Sequence, residues 1–361
     1  MKVLFIFILV IHSLIHLIGF LKGFKPIQIP NLKMQIKKKY AIIWLISSLL
    51  FLITALLFIF KIDSWQISLL ISVIISQSLI IKYWRDARFG TIINIIAFII
   101  LLPSLANSNF EYQTKKEILE FKKKALSKHY IENYNNLNTL PKIVQKWIKK
   151  SRILDKKGIK LIELKQKGKM KIDKQTDWSN FTATQYFNPV DPSFIWVANV
   201  EMNSFIFFRG KDKLENGIGQ MQIKILSFID IVNIKNNNKI NSGAMLRYLA
   251  EMICFPEAAM KNYCNWESLS DTIVKTTFTY AGVSVNGNFC FSKDGDFKYF
   301  ITKRFYGADE KSKEELWEIK ALGYKEFNGI RIPYKCHVTW KLKEGNFTWL
   351  ILEIKEINYF N

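Results

Sequence analysis

Histidine and cysteine are scarce in this chain, with four of each in 361 residues. No His-Glu-x-x-His and no Gly-x-Ser-x-Gly occurs, which removes two common hydrolase signatures. Cys254 and Cys264 have a spacing that no zinc site uses, and buried free thiols are the expectation for all four cysteines. Gly217-Ile218-Gly219 lacks the strand-then-helix setting of a phosphate-binding loop. Its neighbours Arg209, Asp212, Glu215 and Asn216 lack EF-hand spacing and read as a tight hairpin with solvated charges. No catalytic residue, metal or cofactor is therefore expected. Acidic residues are also few, 30 against 52 Lys and Arg, for a net charge of +22. With 49% hydrophobic residues the chain is too apolar to be disordered, and it is too long for a disulfide-stapled mini-protein.

The sharpest absence is of charge over long stretches. Val3–Leu21, Tyr40–Phe60, Trp65–Ile81 and Phe89–Leu105 contain no Asp, Glu, Lys or Arg. At about 1.5 Å per residue each reaches roughly 25–32 Å, the thickness of a bilayer's hydrocarbon core. The third is interrupted by Gln66, Ser68, Ser76, Gln77 and Ser78, groups that neighbouring spans can satisfy. The first has no small-x-small site before Lys22 and is expected to be a span rather than a cleaved leader. Spans without ionisable groups beyond His12 and His16 argue against a transporter or proton pump. These two histidines lie four apart on one helix face, and interhelical hydrogen bonding is their expected role. Nine Lys and Arg lie in the first and third loops, against two in the amino-terminal tail and second loop. The positive-inside rule then puts the tail, and everything after Leu105, outside the cytoplasm.

Residues 107–361 have the polarity of a soluble domain. A helical connector is expected over Glu111–Tyr130, with Ile118, Phe121 and Ala125 on one face. A second helix should start with Thr139 as cap and Pro141 in its first turn, burying Ile143, Val144, Trp147 and Ile148. From Ile159 the hydrophobic period becomes two. Strands are expected at Ile159–Lys167, Phe181–Phe187, Phe194–Val200, Phe205–Arg209, Met221–Phe228, Thr272–Tyr280, Val283–Phe291, Phe297–Phe305, Trp317–Phe327, Arg331–Leu342 and Phe347–Ile357. Asp294-Gly295, Asn328-Gly329 and Glu344-Gly345-Asn346 mark hairpin turns. Gly243–Asn262 breaks the pattern as a helix with Met245, Leu249, Met252 and Ile253 on one face, ended or kinked by Pro256.

The expected architecture is a bundle of four membrane spans (1–106), a helical connector (107–138) and a strongly curved antiparallel sheet with helices on its concave side (139–361). Several strands are apolar on both faces. Trp349 and Ile351 oppose Leu350, Leu352 and Ile354, while Phe297, Tyr299 and Ile301 oppose Phe300. Such a sheet needs cover on both sides or an internal cavity.

The runs Leu140-Pro141 to Trp147, Gln185-Tyr186-Phe187 to Phe194-Ile195-Trp196, Arg209 to Gly219, Arg247 to Glu251, and Asn328-Gly329 to Ile332-Pro333 with Trp340 resemble an uncharacterised bacterial family. Its roughly 220-residue domain often follows membrane spans. The resemblance implies an architecture similar to the lipoprotein-carrier (LolA/LolB-like) fold, which holds acyl chains in its cavity, and implies no activity. Arg247 and Glu251, four apart on the inserted helix, can pair and with Tyr248 present a polar cluster to a ligand headgroup. Tyr186, Trp196 and Arg209, inside the matching runs, join them as candidate ligand-binding residues. The expected role is non-covalent handling of a lipid or acylated partner at the outer side of a bacterial cytoplasmic membrane. The alternatives are a hydrolase or transferase using Glu251 with Arg247, and a non-catalytic assembly scaffold. Membrane lipid, rather than nucleic acid, is the expected partner of the basic surface.

Overall fold

The computed structural model describes residues 2–24, 33–128, 136–156, 158–203 and 206–361. The chain divides into two compact units, Met1–Glu111 and Tyr112–Asn361. The expected connector is therefore shared between them.

The first unit contains helices α1 (Lys2–Phe24), α2 (Lys38–Ile59), α3 (Trp65–Lys82), the one-turn α4 (Trp84–Ala87) and the start of α5 (Gly90–Ser127). Four of these are long and apolar enough to cross a membrane. Their outward faces are apolar, as at Leu14, Leu49, Ile74 and Ile99, whereas Phe5, Leu9, Phe51, Leu69 and Leu101 pack inside. Several polar side chains turn inward and find hydrogen-bond partners there. Thr54 meets Ser68 at 2.7 Å, the Ser13 hydroxyl donates to the Ser48 carbonyl at 2.8 Å, and Gln66 donates to the Ser104 hydroxyl at 2.7 Å. Partners of this kind offset the cost of burying such groups.

The connector differs from expectation. No break follows Leu105, and α5 runs unbroken past Pro103 to Ser127. Its Lys-, Glu- and Leu-rich second half is strongly helix-forming, and its apolar stripe has a surface to pack on. His129 and Tyr130, placed in that connector, lie outside the described residues.

In the second unit, Phe121 and Ala125 of α5 pack with Leu161, Tyr186 and Ile195 on one face of the sheet, its outer face. α6 (Lys142–Ser151) and α7 (Asn238–Glu251) join the core on the opposite, inner face. α6 buries Ile143, Val144, Trp147 and Ile148 as the spacing predicts. Its start is shifted, because Thr139 closes a separate 3-10 turn, bonding the Asn136 carbonyl, and Pro141 takes the cap position.

Thirteen antiparallel strands form one sheet: β1 (Leu161–Met170), β2 (Ser179–Asn188), β3 (Ser193–Glu201), β4 (Phe207–Glu215), β5 (Ile218–Ile225), β6 (Ile229–Lys235), β7 (Cys264–Ser268), β8 (Ile273–Tyr280), β9 (Val283–Phe291), β10 (Phe297–Phe305), β11 (Glu314–Phe327), β12 (Ile330–Leu342) and β13 (Gly345–Phe360). The order is β6-β5-β4-β3-β2-β1-β13-β12-β11-β10-β9-β8-β7, so two meanders meet where the first strand pairs with the last. Phe205 of the expected fourth strand is not among the described residues. The hairpin at Asn328-Gly329 has positive φ at both residues, 51° and 84°, as a tight two-residue turn requires. Gly295 and Gly345 also take positive φ.

α7 links the two meanders and packs on β4 and β5 as well as on β9 and β10. After Glu251 the chain continues as 3-10 turns, with Pro256 opening the second, so the helix is shorter than the expected Gly243–Asn262. On the outer face α5 covers residues of β1, β2 and β3, while Tyr299, Ile301 and Ile351 of β10 and β13 stay half-buried. Beneath α7 and its following turns the inner face is filled by Phe187, Phe194, Phe255, Phe278, Phe289 and Tyr248, each under 2% exposed. A β-bulge between Phe297 and Tyr299 corrects one expected alternation. It places Phe297 and Phe300 on the same buried side, both against Phe289. All four cysteines are free, and only Cys290 is partly exposed.

Candidate functional site

One row of inward-facing side chains crosses the sheet beneath α7. Asp212 on β4 lies opposite Trp196 on β3, which lies opposite Gln185 on β2. Strand alternation puts Phe208, Asp212 and Leu214 on this inner face, and Lys211 and Lys213 on the other, where both bond Glu117 of α5. Asp212 is therefore drawn out of solvent, contrary to the solvated hairpin expected from sequence. Gly210 leaves space for the Trp196 indole, which would lie 3.4 Å from a Cβ at that position.

α7 supplies Arg247 and Glu251 to this row. Asn237 caps the helix, its side chain accepting from the Lys239 amide, and the helix directs Arg247 and Glu251 at the row. Arg247 donates through Nη1 to Asp212 at 2.6 Å and through Nε to Glu251 at 3.0 Å. The other Glu251 oxygen accepts from Gln185 at 2.7 Å. Gln185 in turn accepts from Gln166 at 3.1 Å, and Gln166 accepts from the Trp196 indole N–H at 2.9 Å. The ring closes on itself, since the Arg247 guanidinium lies 4.6 Å from the Trp196 ring centroid.

A second guanidinium lies beside this ring without such satisfaction. Arg304 on β10 stacks over Trp317 at 4.6 Å and Trp340 at 5.8 Å. Among the described residues it makes no hydrogen bond and no ion pair. Gly243 of α7 makes room for it, since a Cβ there would lie 3.3 Å from Arg304 Nε. Burial and then the like charge of Arg247 lower its pKa to about 10, against the pull of Asp212 and Glu251. Burial raises the Asp212 carboxyl in spite of Arg247 and Arg304. Among the described residues the buried Trp317 indole N–H also has no partner.

Of the six residues expected to contact ligand, Arg247, Glu251 and Trp196 come together. The other three do not join them. Tyr248 faces the core, donating to the Asn188 carbonyl at 3.2 Å. Tyr186 is on the outer face, with Lys122 over its ring at 4.6 Å. Arg209 shares the outer phase of β4 with Lys211 and lies over Phe207. Asp212, Gln166, Gln185 and Arg304 complete the cluster. Their available signal was phase, because both glutamines stand where the strand alternation points inward among Ile162, Leu164, Ala183 and Phe187. Burial also pushes the thiols of Cys254, Cys264 and Cys336 up, the last to about 12, so none is a ready nucleophile.

Residues 138–359 match a family described as "Family of unknown function (DUF6920)". No curated protein matches the chain. Three solved structures are similar to it. A putative outer membrane lipoprotein-sorting protein domain from Vibrio parahaemolyticus shares 9% identity at a TM-score of 0.38, with 62% of this chain and 93% of that one covered. A DUF1329 family protein from Desulfovibrio piger shares 9% identity at 0.37, covering 61% and 94%. A LolA superfamily protein from Nitrosomonas europaea shares 8% identity at 0.35, covering 61% and 92%. At such scores and identities the likeness says nothing about what this chain binds.

Proposed function

Given that the chain belongs to this family of unknown function, we propose that it is a membrane-anchored envelope protein whose sheet domain binds the anionic head of a lipid or acylated partner without covalent chemistry. The observation that carries this reading is Arg304. Among the described residues this half-buried guanidinium lies over Trp317 and Trp340 beside Arg247, Asp212 and Glu251 and has no hydrogen-bond partner, so its donors are left to water or to a ligand. A phosphate or carboxylate head would accept its fork of donors, and the Trp317 and Trp340 faces suit the adjoining hydrocarbon. Arg247 is already neutralised by Asp212 and Glu251, and the ring they form fixes the wall beside Arg304.

Two features support a site beside a bilayer. α7 packs on strands of both meanders, and the cluster lies between that helix and the sheet. Neighbouring hairpin tips of the first meander carry exposed apolar side chains, Ile172, Trp178, Ile206, Phe228 and Ile229, among Lys171, Lys174 and Lys224. Aromatic and aliphatic tips rimmed by lysine suit an anionic headgroup layer. The loop charges favour an extracytoplasmic domain from residue 107 onward on the cytoplasmic (inner) membrane of a bacterium. The hydrolase alternative is weakened because Glu251 is engaged on both oxygens, by Arg247 and Gln185.

The test is native mass spectrometry of the full chain titrated with lysophosphatidic acid. One bound molecule is expected, with at least tenfold weaker retention in Arg304→Met. Equal retention by both proteins would overturn the reading. A carboxy-terminal alkaline phosphatase fusion should be active in cells, and an inactive one would place the domain on the cytoplasmic side.

A further inference from the structure

The helical unit contains a cavity of about 300 Å³, at the small end of the range for ligand sites. We infer that it holds an acyl chain of an anionic bilayer lipid. Its walls are Ile15, Ile18, Trp44, Ile80, Phe89 and Ile93, and its floor is closed by His12 and His16. These imidazoles are held by Ser76 and Asn94, at 2.9 Å for His16 to Ser76 and 3.1 Å for His12 to Asn94. The Nε2 atoms of the floor are thus bonded within the bundle, while among the described residues both Nδ1 atoms have no partner.

At the other end Lys22 pairs with Asp86 at 3.7 Å, and Asp86 also accepts from the Met34 amide at 2.7 Å. From His12 to Lys22 the wall of α1 rises about 15 Å, a reach that fits a length of extended chain rather than a compact molecule. Ile15, Ile18 and Phe89 are 44%, 41% and 70% exposed, so the wall continues onto the outward apolar surface from which a lipid tail enters.

Charge selects the head. Lys22, Lys33, Lys37, Lys38, Lys39, Lys82, Arg85 and Arg88 lie at this end of the bundle, and Asp86 is the one carboxylate there among the described residues. A phosphodiester head with net negative charge complements that surface. The site is separate from the Arg304 cluster and does not depend on it.

The experiment uses the full chain in nanodiscs doped with phosphatidylglycerol carrying a tail diazirine, or with the matching phosphatidylcholine. Photolysis and peptide mapping should concentrate adducts on residues 15–22 and 87–93, at least fivefold more from phosphatidylglycerol. Ile93→Trp and Ile18→Trp, which fill the cavity, should each cut those adducts at least fivefold. Adducts on the outward residues Ile42, Leu49 and Leu56 should stay unchanged, which reports an intact bundle, and Arg304→Met should leave the pattern as it is. Even labelling of all outward faces, equal labelling by the two lipids, crosslinks between chain copies at these residues, or indifference to both tryptophan variants would overturn the inference.

Discussion

His12, His16, Ser76 and Asn94 meet inside the helical unit with no formal charge required among them, whereas Asp212, Arg247, Glu251 and Arg304 bring four charged groups under α7. The two arrangements solve different problems. In the helical unit a polar group finds a partner or goes unsatisfied, and a neutral network with several mutual bonds is the economical solution. In the sheet domain the Arg247, Asp212 and Glu251 side chains keep about one-sixth of their surface, 15–16%, so partial hydration and close pairing together offset the cost of burying them. One member of the second cluster breaks that rule. Arg304 has charge and aromatic contact but, among the described residues, no acceptor.

The largest effect should come from removing the cation that satisfies two carboxylates. Arg247→Met is expected to destabilise the sheet domain by about 3–5 kcal/mol, because Asp212 and Glu251 lose their shared partner. Thermal unfolding of the full chain, followed by tryptophan fluorescence, checks this, and a loss below 1 kcal/mol would show the ring to be solvated.

Next is a titration. Burial raises Glu257 to about 7 despite Lys261, which lies 4.0 Å away. A carboxyl whose folded pKa is raised stabilises the fold fully below its unfolded pKa of about 4.5, and that contribution is lost as pH rises through about 7. Glu257→Gln should flatten this decline, a difference of about 1–3 kcal/mol across the window. Parallel stability profiles for the two proteins would contradict it.

In the helical unit, Asn94→Leu strips partners from His12, Ser76 and Gln77. The expected cost is about 1–2 kcal/mol in mixed-micelle unfolding, smaller than for Arg247 because no charge is stranded. A cost equal to that of Arg247→Met would erase the contrast between the two clusters. The smallest effect on stability belongs to Arg304→Met. With no acceptor to strand, it should leave the unfolding midpoint unchanged or slightly raised, by about 1 kcal/mol at most. Strong destabilisation would mean that Arg304 serves the fold.

The same contrast governs how much could be read from the sequence. The helices of the first unit are legible because every face is apolar over 17 residues or more, a pattern with few other solutions. Most strands are legible through alternation. Exceptions are β6, whose side chains face solvent at an edge, and β7, which is five residues long. The bulge at Phe297–Tyr299 is invisible to a period-two count because it changes phase by one residue. Arg247 and Glu251 were legible as a pair through their four-residue helical spacing. Asp212 and Arg304 reach them from β4 and β10, and only the packing of α7 on strands of both meanders makes those four neighbours. Tyr248 misled because adjacency to Arg247 along a helix means a different face, here the aromatic core.

The most direct test is a structure of the full chain with a brominated long-chain alkyl phosphate. The account predicts phosphate oxygens within hydrogen-bond distance of the Arg304 guanidinium and bromine density along Trp317 and Trp340. Bound ligand elsewhere, with Arg304 still lacking an acceptor at saturating concentration, would contradict it.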